Sequence, residues 1–161
     1  MWPFKKKDEL NIEALMLQIE SLPIGEAKIL FVNMCDDLGE KISLVANRDE
    51  FVPEYELDST LVEFFSEYTS FSPNYMDLDI SIESIGLSEA AKGHTRIGYD
   101  MGWSEVNCEI SGEVFSVYLE DSDGISFVKS DRALTIWHYM VQRLSVVYPE
   151  VLEKNITRLA T

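Results

Sequence analysis

Residues 95–129, TRIGYDMGWSEVNCEISGEVFSVYLEDSDGISFVK, constrain the fold most, because they read as consecutive β-strands broken by turn-forming pairs. From Glu105 to Ile110, Val106, Cys108 and Ile110 alternate with Glu105, Asn107 and Glu109. This is the period of a strand with one buried and one wet face. Ser111-Gly112 supplies a hairpin turn. A two-residue turn at that point sets Cys108 opposite Phe115 and Val106 opposite Val117 on the inner face. Glu105, Asn107 and Glu109 then share the outer face with Tyr118, Ser116 and Val114. A second turn, Asp123-Gly124, sets Leu119 opposite Val128 and extends the apolar face into a third strand, Ile125 to Lys129.

The remaining elements are placed around these strands. Asp8 to Leu22 carries Ile12, Leu15, Met16, Ile19 and Leu22 at helical spacing, with Asp8-Glu9 favouring its N-terminus and Pro23 and Gly25 ending it. Residues 26–46 fit two patterns. Ala27, Phe31, Met34, Leu38, Ile42 and Val45 form a helical stripe, while ILFVNM and KISLVAN form two strands around Asp36 to Glu40. The β-branched runs on either side of Gly39 favour the strands. NRDEFVPEYELD is a loop, and Ser59 caps a short aromatic helix, Thr60 to Tyr68, with Leu61, Phe64, Phe65 and Tyr68 on its apolar face. Ser70 to Tyr75 is a connector, Leu78, Ile80 and Ile82 mark a strand, and residues 85–95 form a polar loop. Ser130 caps a helix running through Ala133, Ile136, Trp137, Met140, Val141, Leu144 and Val147 to Pro149, and Glu150 to Thr161 forms one more. The expected architecture is α+β, a mostly antiparallel sheet with helices packed on one face.

With 161 residues, 46% of them apolar, the chain is long enough to bury a core as one domain spanning 1–161, with residues 1–10 a flexible N-terminus. MWPFKKKDEL has a basic cluster but no apolar run of signal-peptide length, and no stretch approaches a membrane span, so a cytoplasmic protein is expected. Asn155 to Thr157 then matches the glycosylation sequon by chance. Cys35 and Cys108 have no motif spacing and read as reduced, buried thiols.

The formal net charge is −16, and its distribution is uneven. From Asp49 to Asp123 there are 18 acidic residues against only Lys92 and Arg96, while the rest of the chain balances at 11 acidic and 11 basic. Such a field repels nucleic acid and favours a basic protein partner. Acidic side chains also simply keep a small domain soluble.

The chemistry-bearing residues do not assemble into a catalytic motif. The turn Asp121-Ser122-Asp123-Gly124 resembles a calcium loop, but the EF-hand register puts Leu119 and Ser130 at its first and last ligand positions, so a plain hairpin turn is expected. His94 and His138 lack a second histidine or a cysteine at metal-ligand spacing, which leaves them structural or surface roles. Glu105, Glu109, Glu113 and Glu120 suggest the carboxylates of a hydrolase, yet acid–base work needs a pocket that shifts one pKa. No nucleotide-binding or nucleophile-elbow fingerprint occurs, so no metal, cofactor or catalytic residue is assigned. Trp103 is either an interface anchor or a lid over the core.

IGYDMGWSEVNCEISGEVFSVYLEDSDG, followed by the helix from Ser130, resembles the SUKH superfamily, the Smi/Knr-like fold of many bacterial immunity proteins. ELDSTLVEFFSEYTSF looks like that family's earlier segment, a leucine-proline followed by an aromatic helix. The resemblance implies an α+β binding domain without catalysis, often encoded beside a polymorphic toxin that it blocks by contact. Basic nuclease toxins hold phosphates, and an acidic partner suits such a site. The expected partner surface is Asp100, Trp103, Glu105, Glu109 and Tyr118: carboxylates steering a basic protein, aromatic rings excluding water. A regulatory or scaffolding module of the same fold is the nearest alternative, and a carboxylate hydrolase a more distant one.

Overall fold

The computed structural model describes residues 13–74, 78–89, 93–100, 104–111, 114–121, 124–129 and 134–160. The fold is α+β. Its contacts gather in two units, residues 13–39 with 137–160, and residues 40–136. None of the described helices is long and apolar enough to cross a membrane.

The first unit is helical. Helix α1 occupies residues 13–21 and buries Leu15 and Ile19, as the spacing predicts; Asp8 and Ile12 lie outside the described residues. Pro23 does separate it from the next element, but as the N-cap of helix α2, Ile24–Leu38. Here the expectation of a strand from ILFVNM fails. The buried residues Ala27, Leu30, Phe31, Met34, Cys35 and Leu38 recur every three or four positions, so a helix puts all six on one face where a strand would split them between two. Gly39 ends α2 with φ 56°, a left-handed conformation suited to glycine, and its N–H donates to Cys35 O.

Helix α4, Ile136–Val147, starts later than expected: Leu134 and Thr135 precede it in non-helical conformation, and Ser130 and Ala133 lie outside the described residues. It is buried along most of its first two turns, with Trp137 and Met140 fully enclosed and Phe31 of α2 tilted against the Trp137 ring at 5.8 Å between centroids. Pro149 opens helix α5, Pro149–Ala160, which fits its tolerance for the first helical position. A polar clasp joins α5 to α2. Asn155 Nδ2 donates to Asp37 Oδ2 at 2.9 Å, and Lys154 and Arg158 stand 3.7 and 3.4 Å from the same oxygen. That hydrogen bond, with the two cations, holds the Asp37 carboxyl below its usual range. These cations also offset a carboxylate placed in the last turn of α2, where the helix dipole disfavours it.

The second unit is built on an antiparallel sheet. Its strands are β1 (Ile42–Ala46), β2 (Tyr68–Pro73), β3 (Leu78–Ser81), β4 (Gly86–Leu87), β5 (Thr95–Asp100), β6 (Ser104–Ser111), β7 (Val114–Asp121) and β8 (Gly124–Lys129). The order is β1-β2-β3-β5-β6-β7-β8, with β4 pairing the Thr95–Arg96 end of β5. KISLVAN therefore contributes a strand as expected, whereas the connector expected at Ser70 to Tyr75 is largely β2. Its alternation is masked by Ser70 and Ser72, yet Phe71 is fully buried. Helix α3, Ser59–Glu67, packs on β2 and buries Leu61, Phe64 and Phe65, each worth roughly 1.5–3 kcal/mol of apolar transfer. Its cap is Asp58 and not Ser59: the Asp58 carboxylate accepts from Thr60 N at 2.9 Å and from the Thr60 hydroxyl.

Candidate interaction surface

The hairpin β6–β7 has the predicted faces but a different register. Ser111 pairs with Val114, so the turn moves one residue along and every cross-strand partner shifts by two. Cys108 stands opposite Val117 and Val106 opposite Leu119. In β7–β8 the turn moves one residue back with the same shift of two, so Asp121 pairs with Gly124 and Val117 with Val128. A shift of two keeps each residue on its face and changes only its neighbours. The paired Val106 and Cys108 are both fully buried, which identifies the inner face.

Tyr118 is consequently not the neighbour of Glu105. It stands opposite Asn107, and Glu105 stands opposite Glu120. Tyr118 still falls on the register positions between Glu105 and Glu109, because Asn107 lies between them in β6. Asp100 ends β5 in register with the buried Leu78 and with Ser104, so its position falls on the inner face, opposite to that of Tyr99 and Glu105, and not with them as expected. For Asp100, Glu105, Glu109 and Tyr118 the backbone position is described and the side chain is not; Trp103 lies outside the described residues, as do Ser122 and Asp123 of the Asp-rich turn.

Pairing across four strands shows more of this face than the sequence suggests. Asp79 in β3 pairs with Tyr99 in β5, Tyr99 with Glu105 in β6, and Glu105 with Glu120 in β7. Asp79 is exposed between the buried Leu78 and Ile80, and Tyr99 is 38% exposed beside the buried Gly98 and Ile97. The row thus starts on a solvent-facing side and reaches Glu105 by continuous pairing. Asp79, Tyr99 and Glu120 were not among the residues expected at the surface site. Asp79 and Glu120 had a readable signal, the alternation of LDIS and the period that already places Tyr118 on the outer face. Close approach of β3 and β5 depends on Gly98, where a Cβ would lie 2.0 Å from Asp79 O.

Both cysteines are buried free thiols. Burial, helped by Asp36, pushes Cys35 up to about 12, and burial with the nearby Asp58 raises Cys108 as well, so neither is a reactive thiolate at neutral pH. His138 is buried with Nε2 2.8 Å from Leu22 O, a structural contact in the helical unit. Among the described residues no three His, Cys, Asp or Glu side chains are disposed to hold a metal ion. Comparison of the chain with models of known families, with curated proteins and with solved structures finds no match.

Proposed function

We propose that this chain is a non-enzymatic protein-binding domain, most concretely a SUKH-like immunity protein that neutralises a cognate basic toxin domain by direct contact. The observation that carries the reading is the row Asp79, Tyr99, Glu105 and Glu120, paired across four strands on a side of the sheet that is open at Asp79 and Tyr99. It lies in a unit holding 20 acidic residues against 6 basic, a balance of −14. Carboxylates in that arrangement steer a basic partner and pair with its lysines and arginines, while aromatic residues at the centre exclude water. In this reading Glu105, Glu109 and Tyr118 form the middle of the contact, with Trp103 at the connection from β5 to β6. Cytoplasmic location belongs to the same proposal.

The test is co-expression with the protein encoded beside this one. A stable complex, and protection of cells against that protein's toxicity, are expected. Failure of the purified pair to associate, together with no protection, removes the immunity reading. Trp103→Ala is expected to weaken the complex by about 2 kcal/mol or more through faster dissociation. If it lowers the melting temperature instead, Trp103 belongs to the core.

A further inference from the structure

A pocket lies within residues 40–136, apart from the sheet face described above. The loop between β1 and α3 and the turn after β3 enclose an open pocket of about 350 Å³, lined by Glu50, Phe51, Val52, Pro53, Glu54, Tyr55, Leu57, Ile82 and Ile85. That volume is at the lower end of the range typical of ligand sites, roughly 300–1,000 Å³.

Both walls are held in place. The loop is fixed at its start by Asn47, whose N–H donates to Glu67 O at 2.8 Å and whose Nδ2 donates to Phe65 O at 2.7 Å. Phe51 packs against Phe65 at 5.6 Å between ring centroids, and the Asp58 cap fixes the loop's far end. Across the pocket, Ile82 N donates to Thr69 O at 2.7 Å, Ser84 N to Ser81 O at 3.1 Å, and Arg96 Nε to Ser84 O at 2.7 Å. A cavity so anchored needs little ordering on binding.

Its lining combines apolar side chains with carboxylates. Phe51, Val52, Pro53, Leu57, Ile82 and Ile85 supply apolar wall, and Val52 stands 71% exposed at the rim. The charged lining residues, Glu50 and Glu54, are both acidic; the exposed Asp49 and Glu56 lie close to them in sequence and Glu83 follows Ile82, while the charge of Arg96 reaches Tyr55. Apolar lining residues beside two carboxylates suit an apolar side chain carried next to a positive charge.

We propose that this pocket docks a segment of a protein partner presenting a leucine-sized side chain flanked by lysine or arginine. The inference goes beyond the sheet-face reading and does not depend on it, because it uses different residues and a different probe.

The experiment titrates the ¹⁵N-labelled full chain with acetyl-Lys-Leu-Lys-amide and, separately, with acetyl-Lys-Ala-Lys-amide and acetyl-Glu-Leu-Glu-amide. The first peptide is expected to give saturable amide shifts at residues 50–57 and 82–85, with half-saturation in the millimolar range, weaker binding by the second and none by the third. Glu50→Gln with Glu54→Gln is expected to weaken the first peptide roughly threefold or more at low salt, and Val52→Ser to weaken it without lowering the melting temperature. No saturable shift up to about 10 mM overturns the proposal, as does equal response to the Glu-Leu-Glu peptide. Shifts confined to β5, β6 and β7 overturn the pocket while leaving the sheet-face reading intact. Failure of the co-expressed complex removes that reading without touching the peptide result.

Discussion

The two units of this protein divide charge and packing differently. Residues 1–39 and 137–161 hold 9 acidic and 7 basic residues, close to balance, and in the helical unit that they contain Asp37 is gripped by Asn155, Lys154 and Arg158. Residues 40–136 hold 20 acidic against 6 basic, along with the exposed row at Asp79 and Tyr99 and the pocket lined in part by Glu50 and Glu54. Self-repulsion among carboxylates costs stability, and it is concentrated in the second unit. In the proposed reading, the contrast separates a part whose residues serve packing from a part whose surface serves recognition.

The largest expected effect breaks the helical side of that contrast. Trp137 is fully buried, meets Phe31, and lies under the Lys28 ammonium at 5.4 Å from the ring centroid. Trp137→Ala is expected to cost about 3–5 kcal/mol in denaturant unfolding. A loss under about 1 kcal/mol would show that the helical core is not packed as described.

Gly98→Ala probes the sheet unit by the same measure. The new Cβ would press on the backbone of Asp79 and Ile80, so strand β5 must shift or the β3–β5 pairing must open. About 1–3 kcal/mol is the expected loss, with accelerated amide exchange at residues 78–80. Unchanged exchange at those amides would contradict the close approach.

The smallest effect is a pH dependence in the helical unit. Burial lowers the His138 pKa from its ordinary 6.5, outweighing the opposing contact with Leu22 O and the charge of Glu20. The unfolded chain therefore binds more protons as pH falls below 6.5, and the stability contributed by neutral His138 is full above that value and is lost toward the lower folded pKa. His138→Gln is expected to flatten the melting-temperature curve between pH 7.5 and 5 relative to the unsubstituted protein. Parallel curves would remove His138 as a contributor.

The sheet was the more legible unit. Val106 and Cys108, and Leu78 and Ile80, alternate with polar residues and are buried as that period demands. The hairpin registers were displaced because Ser111-Gly112 and Asp123-Gly124 satisfy turn chemistry one residue away from the turns adopted, and composition alone does not choose between them. Faces survived that error since the shift was by two. Within residues 26–46 both a helical stripe and two strands are legible, and β-branched and aromatic residues tip the choice to strands locally; burial of Leu30 and Cys35 beside Ala27, Phe31, Met34 and Leu38 widens the stripe into a full helix face. The pocket left no local signature at all: its walls come from residues 50–57 and 82–85, brought together only by the pairing of β2 with β3 and by Arg96.

The most direct test of the central claim, that recognition resides in the acidic sheet face, is the salt dependence of association between this protein and the one encoded beside it. Rates would be measured by stopped flow for the unsubstituted chain and for Glu105→Lys combined with Glu109→Lys, with melting temperatures taken in parallel. The account predicts an association rate that falls steeply with ionic strength for the unsubstituted chain. It predicts a slower rate and a flatter salt slope for the charge-reversed chain, at unchanged melting temperature. Equal rates and slopes for the two chains, or a loss of binding that appears only with unfolding, would contradict it.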